Sequence, residues 1–268
     1  MPELDEAVRR YYERGREAER LQGGFRTGPL EFARTKQLLE RFLPAAPLDI
    51  LDVGGGPGLY AAWLCERGDR VHVVDPIPLH VEQARAAHPR VTAEVGDARD
   101  LAQESGSADA VLLLGPLYHL VERAHRLRTL NEARRVLRPG GRLFAAGISR
   151  FAGLLDLLVG ELLHEPDVRP LVAAALESGA FLGKADGLFT TAYFHRPRDL
   201  RAEVEEAGFC AVEILNVEGP GFLVADFERR WADPVQRETM LWAAEVVESE
   251  PEMLAASSHL LAVARTPD

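Results

Sequence analysis

The 268-residue sequence predicts an α/β fold built on one doubly wound, mostly parallel sheet of seven strands. Three observations predict it. Short apolar runs of strand length alternate with helix-length segments from residue 48 to residue 148, and that alternation requires crossover connections, hence parallel strands covered on both faces. The first apolar run ends in a glycine-rich turn, which places a ligand edge at the carboxyl end of the sheet. Strand-like runs return near the C-terminus, so one sheet accounts for nearly the whole length.

The elements follow in order. The charged, amphipathic N-terminus reads as a helix broken at Gly23 and Gly24, and a second helix from about Pro29 to Leu43 stops at the Pro44 to Pro47 punctuation. Leu48 to Val53 is the first strand and runs into Gly54, Gly55 and Gly56; a helix from about Leu59 to Arg67 and a second strand, Val71 to Asp75, complete a βαβ unit. A helix near Leu79 to Ala87, strands Val91 to Val95 and Ala108 to Leu114, a helix from about Ala124 to Leu137 and a strand Arg142 to Ile148 continue the pattern. Phe151 to Ala180 is helical and apolar, and Phe181 to His195 reads as irregular around Gly183 and Gly187. A helix at Pro197 to Ala207 and strands Phe209 to Val217 and His259 to Arg265 close the sheet, around an insertion at Gly219 to Ser258 that reads as helical in its second half. The chain divides into an N-terminal helical cover, 1–46, and a main domain, 47–268, with helical lids at about 151–195 and 219–258.

A formal charge of −11 and a pI near 5.3 repel phosphate backbones, so nucleic acid is excluded as a partner. Arg123, Arg126, Arg128, Arg134, Arg135 and Arg138 crowd one helix, but acids are interspersed and a solvated face is expected. Cys65 and Cys210 have no Cys or His neighbours at metal-ligand spacing; both read as small buried hydrophobes, and no metal is expected. The N-terminus lacks the continuous apolar segment of a signal peptide or membrane span, which points to a cytoplasmic protein without membrane association.

The chemistry is carried by LDVGGGPGLY, Leu51 to Tyr60. Gly54, Gly56 and Gly58, with Gly55 between them, permit a tight strand-to-helix turn whose backbone can press against a ligand. Nicotinamide and flavin enzymes use a similar turn to hold a pyrophosphate. Asp52 would repel a pyrophosphate but suits a ligand bearing an ammonium group, which favours an amino-acid-bearing nucleoside.

Here the sequence resembles the class I, Rossmann-like S-adenosylmethionine-dependent methyltransferases. The resemblance implies that the glycine loop and Asp52 contact the methionine part of S-adenosylmethionine, and that Asp75, with Pro76 beside it, meets the ribose. GDARDL, Gly96 to Leu101, is similar to the family segment that meets adenine, which gives those roles to Asp97 and Ala98. LLLGPLYHL, Leu112 to Leu120, lies where the family places the methyl and its acceptor, with Leu114 and Gly115 touching the cofactor through backbone; ARRVLRPGGRLF, Ala133 to Phe144, resembles the helix, Pro-Gly-Gly turn and fifth strand. The expected sheet then has an antiparallel final strand.

Several residues keep two readings. Asp75 is a ribose acceptor or a helix cap, and Asp97 an adenine acceptor or a turn former. His119, with Tyr118 beside it, is a general base or merely closes the cofactor site. Tyr11, Tyr12, Arg20, Arg26 and Arg34 lie in the cover; Tyr11 and Arg34 are the cofactor candidates, the arginine for the methionine carboxylate. Tyr193 and His195 line an acceptor site or pack a lid. The apolar helices from Leu154 to Leu182 form an acceptor lid, a homodimer face or plain core. The expected activity is O- or N-methylation of a small-molecule acceptor by in-line transfer; the alternatives are an NAD-dependent oxidoreductase and a non-catalytic S-adenosylmethionine-binding protein.

Overall fold

The computed structural model describes residues 5–15, 17–24, 27–87, 89–182 and 189–268. Gly183, Gly187 and Arg26 of the sequence reading lie outside them. The chain opens with α1 (Glu6–Tyr12), whose N-cap Asp5 accepts the backbone N–H groups of Ala7 and Val8. It continues through α2 (Glu17–Glu19) and a π-helical segment, Arg20–Gly24, that breaks at Gly23 (φ 122°), into α3 (Gly28–Phe42). Then come β1 (Asp49–Val53), α4 (Leu59–Arg67), β2 (Arg70–Asp75), α5 (Pro78–Ala87), β3 (Thr92–Val95), β4 (Ala108–Leu113), a 3₁₀ turn at Leu117–His119, α6 (Arg123–Val136) and β5 (Leu137–Ser149). The C-terminal part holds α7 (Ala152–Val159), α8 (Val168–Ser178), β6 (Ala180–Phe181), β7 (Ala192–His195), α9 (Pro197–Glu206), β8 (Cys210–Asn216), a 3₁₀ turn at Gly219–Leu223, α10 (Phe227–Ala232), α11 (Pro234–Val246) and β9 (His259–Arg265).

The sheet runs β3-β2-β1-β4-β5 in parallel, and β9 lies antiparallel between β5 and β8. Strand order reverses at β1, which has β2 on one side and β4 on the other. These strands are buried on both faces, so Leu51, Val53, Val111 and Leu113 pack on one side while Ile50, Val73, Ala110 and Leu112 pack on the other.

Three expectations need correction. The sheet has nine strands rather than seven, because the segment read as irregular before His195 contains β7, with β6 paired to it. β9 takes one edge of β5, and β7 pairs with Ile148 and Ser149 on the other edge, past the end of β4. Arg150, 4% exposed, fastens this annexe by donating to the carbonyls of Phe194, Leu176 and Glu177. The Pro-Gly-Gly turn is absorbed into β5 as an irregularity, with Ala108 opposite Leu137 and Ala110 opposite Arg142. In the 219–258 insertion the helices occupy the first part and the middle, with turns following Val246.

The arginines of α6 are not a free solvated face. Arg126 is buried, ion-paired to Glu203 and stacked 3.6 Å from the Tyr193 ring centroid, and Arg123 pairs with Glu206. Cys65 is buried and Cys210 half-buried; both are free thiols. Among the described residues no helix is long and apolar enough to cross a membrane.

Candidate active site

A cavity opens at the carboxyl ends of β1 to β4, where the strand order reverses. At the end of β1 the chain turns through the glycine loop into α4. Gly54 sits at φ 71°, and a Cβ there would lie 2.8 Å from Cδ of Pro116; on Gly55 it would lie 2.6 Å from Oδ2 of Asp52. The loop is therefore clasped between the β4 exit and the Asp52 carboxylate, with room for glycine alone.

Three aspartates line the cavity, each with a different set of partners. Asp52 is fully buried, and both its oxygens lack a hydrogen-bond partner among the described residues. Burial, helped by the nearby Asp75 charge, pushes its carboxyl up to about 7. Asp75 accepts the Gly56 N–H at 2.9 Å on Oδ2, and the Ile77 N–H at 2.9 Å and His80 Nδ1 at 3.1 Å on Oδ1. It thus caps the start of α5 and pins the glycine loop at once. Asp97 is clasped by Arg99, whose guanidinium donates at 2.8 and 2.6 Å; burial opposes ionisation there, but the Arg99 bonds outweigh it and hold the carboxyl below the usual range.

The opposite wall comes from the N-terminus and the β4 exit. Val8, Tyr12, Glu17, Ala18, Arg20 and Leu21 line the cavity together with Leu114, Gly115, Tyr118 and His119. The Tyr12 hydroxyl lies 2.7 Å from Nε2 of His119, whose Nδ1 lies 3.2 Å from the Thr191 carbonyl. A carbonyl only accepts, so Nδ1 carries the proton and Nε2 accepts from Tyr12. Burial pushes His119 down to about 4, so the ring is neutral at physiological pH.

A second, larger cavity adjoins the first. Ile148, Ala152, Leu157, Leu162, Phe181 and Phe194 give it apolar walls, with Tyr11, Ser258 and His259 among its polar groups. Tyr12, Glu17, Arg20 and Tyr118 line both cavities. Behind that shared wall, Arg20 donates to Glu17 at 2.7 Å and forks onto Glu31 at 2.6 and 3.0 Å, while His259 Nδ1 lies 2.6 Å from Glu218 and 3.9 Å from Glu31. Burial alone would depress this imidazole, but the Glu31 and Glu218 carboxylates prevail and raise it to about 9.

The structure thus brings together Asp52, Gly54, Gly55, Gly56, Asp75, Pro76, Asp97, Ala98, Leu114, Gly115, Tyr118 and His119. Gly58 does not line the cavity; it caps α4 in the left-handed conformation at φ 81°. Tyr11 lines the second cavity instead, edge-on to Phe189. Arg34 lies elsewhere: at 0% exposure it donates to Glu248 at 2.6 Å and to the Val217 carbonyl, tying α3 to the turn after α11. Among the described arginines of the N-terminal cover, Arg20 lines the cavity. Tyr193 and His195 line neither cavity and pack against Arg126 and Glu203. Sequence reasoning missed His80 and His259; His80 falls five residues after Asp75, one helical turn into α5, which returns its ring to the strand end.

Comparison with known proteins places this geometry. Residues 50–141 match the family profile described as a methyltransferase domain. An uncharacterised methyltransferase of Mycobacterium tuberculosis is 42% identical over 107 residues, which are 40% of this chain and 42% of that protein. Residues 50–141 of the chain thus match a methyltransferase domain. A ubiquinone biosynthesis O-methyltransferase of Methylocella silvestris is 34% identical over 111 residues, which are 40% of this chain and 42% of the relative. The chain thus spans about two fifths of the length of these curated relatives. Its fold is shared by the crystal structure of an S-adenosylmethionine-dependent methyltransferase from Mesorhizobium loti, with a TM-score of 0.57 at 20% identity, covering 91% of this chain and 99% of that one.

The residues of the cavity fit S-adenosylmethionine on one observation, the orphaned oxygens of Asp52. A bare carboxylate in so dry a place calls for a cation, and the cofactor's ammonium supplies one. An ionised carboxylate offers about four lone-pair positions. Among the described residues Asp75 and Asp97 each have three taken, which leaves one on each Oδ2.

Proposed function

We propose that the chain binds S-adenosylmethionine in the first cavity and transfers its methyl group to a small molecule in the second. The carrying observation is the shared wall of Tyr12, Glu17, Arg20 and Tyr118, which sets the two cavities back to back. On this reading Asp52 holds the ammonium, with Gly54, Gly55 and Gly56 against the methionine part. Asp75 accepts one ribose hydroxyl rather than two, because its other lone pairs are engaged. His80 supplies the second acceptor: its Nδ1–H is given to Asp75, and its buried Nε2 has no partner among the described residues. Oδ2 of Asp97 faces the adenine amino group, with Ala98 beside the ring, while Leu114 and Gly115 close the loop from the β4 side.

A sulfonium methyl is already activated, so the protein's tasks are alignment and exclusion of water. Tyr12 and Tyr118 do both at the boundary, since each is buried or half-buried and faces both cavities. His119 orients Tyr12 and takes no proton: its lone pair is occupied and its proton affinity is low. The 1–46 cover and the 151–195 lid act as the two ends of the acceptor enclosure. The Methylocella relative favours oxygen as the methylated atom.

Calorimetric titration with S-adenosylhomocysteine and with NAD tests the reading. Micromolar binding of S-adenosylhomocysteine that Asp75→Ala weakens, with no NAD binding, is expected. Binding of NAD alone, or of neither, overturns it.

A further inference from the structure

His259 stands out among the titratable groups that the proposed mechanism leaves unused. It is the first residue of β9, lines the second cavity, and has its ring centroid 6.5 Å from that of Tyr118, one of the residues facing both cavities. Its Nδ1 is taken by Glu218 at 2.6 Å. Glu218, 1% exposed, is itself fixed by the Ser257 hydroxyl at 2.8 Å and the His259 backbone N–H at 3.0 Å. The imidazole is therefore held in one orientation, and its Nε2 has no partner among the described residues.

We propose that His259 is a specificity-determining residue of the second cavity, donating its Nε2–H to an oxyanion carried by a largely apolar acceptor. The inference rests on the methyl-transfer reading above and names the substrate class for that site. A single N–H suits a single oxygen better than the paired oxygens of a carboxylate, and the aromatic and aliphatic walls suit a ring-sized body, which together describe a phenol or enol bound as its anion. The charged groups packed around the ring are Glu31 of α3 and Glu218, with Arg20 of the π-helical segment chelating Glu31 and Glu17 beyond it. These carboxylates keep the imidazole protonated up to about pH 9, so the donor is charged throughout the neutral range. The balance of the step is simple. The acceptor hydroxyl loses its proton to solvent on binding, the oxygen forms a bond to the methyl carbon, the sulfonium–methyl bond breaks, and a methyl ether and S-adenosylhomocysteine result.

The test uses the full chain saturated with S-adenosylhomocysteine and three probes of one shape: 4-nitrophenol, neutral 4-nitroanisole and cationic 4-nitrobenzylamine, with 4-nitrobenzoate as the carboxylate arm. The nitrophenolate chromophore reports ionisation directly. The expected results are a downward shift of nitrophenol ionisation on binding and a preference of about tenfold or more for it over the other three probes, the range of a charge-assisted hydrogen bond. His259→Gln should abolish both while leaving S-adenosylhomocysteine binding intact, which also shows that the variant is folded. On wild type, the preference should fade as pH rises through about 9, where the raised imidazole loses its proton. Preference for nitroanisole, the amine or the benzoate, an undiminished shift in His259→Gln, or binding of none of the probes overturns the inference. Failure of S-adenosylhomocysteine to bind would instead sink the reading on which it rests.

Discussion

Asp52 gives the sharpest quantitative expectation. Its carboxyl is moved from 3.8 to about 7 by burial and by Asp75, and each tenfold change in proton affinity corresponds to about 1.4 kcal/mol. Holding a bare carboxylate there costs the ligand-free protein on the order of 4 kcal/mol at pH 8. The sign is that of a raised acid: the folded state keeps a proton that the unfolded chain has shed, so stability is highest below the unfolded value and declines as pH rises to about 7. An ammonium beside Asp52 removes the reason for that proton. Binding S-adenosylhomocysteine at pH 6 should therefore expel about 0.9 proton, falling to about 0.1 at pH 8. Calorimetry at pH 6 in two buffers of different ionisation enthalpy measures it. Asp52→Asn should bind roughly 10–100-fold more weakly, with no proton release, and its ligand-free form should lose the decline in stability between about pH 4 and 7. Buffer-independent heats for the wild type at pH 6 would refute the assignment of Asp52 to the ammonium.

Two further expectations concern residues whose roles the structure reassigns. Glu248→Ala leaves the Arg34 guanidinium buried without its carboxylate and should destabilise the protein by roughly 3–5 kcal/mol in urea unfolding, with unchanged S-adenosylhomocysteine affinity; a weaker affinity at full stability would restore Arg34 to the cofactor. In ¹⁵N spectra of the histidine rings, His119 should remain the neutral Nδ1-protonated tautomer down to about pH 5, and a titration near 6.5 would contradict its burial against Tyr12 and Thr191.

The parts that the sequence made legible are those governed by periodicity. α4 and β9 begin and end where the apolar pattern places them, because each is bounded by glycine, or by a change from turn residues to an unbroken apolar run. The glycine loop and the three acids were legible because tight turns and strand-end carboxylates follow from local spacing. β7 was not: four residues after a glycine-rich stretch carry no alternation, and they become a strand because the overhanging end of β5 offers unpaired backbone and Arg150 gathers the neighbouring carbonyls. Arg34 was misassigned for a similar reason. Position on a helix does not reveal which face meets the cavity, and its partner Glu248 lies 214 residues away. His259 was read only as a strand start, since its meaning depends on Glu31 and Glu218 arriving from two other elements.

Tyr12 carries a consequence for the order of events. Its ring is packed edge-on against His80, which holds Asp75, and against His119, while its other side borders the second cavity. One side chain is thus a common boundary of two chambers, and a guest that displaces it from either side changes the fit of the other guest. Thermodynamic linkage makes that influence mutual, so whatever factor the acceptor imposes on cofactor affinity, the cofactor imposes on the acceptor. Variants chosen to enlarge the acceptor chamber at Tyr12 will for that reason retune retention of the spent cofactor, whereas enlargement at Phe181 or Leu157, which border the acceptor chamber and not the first cavity, leaves it alone.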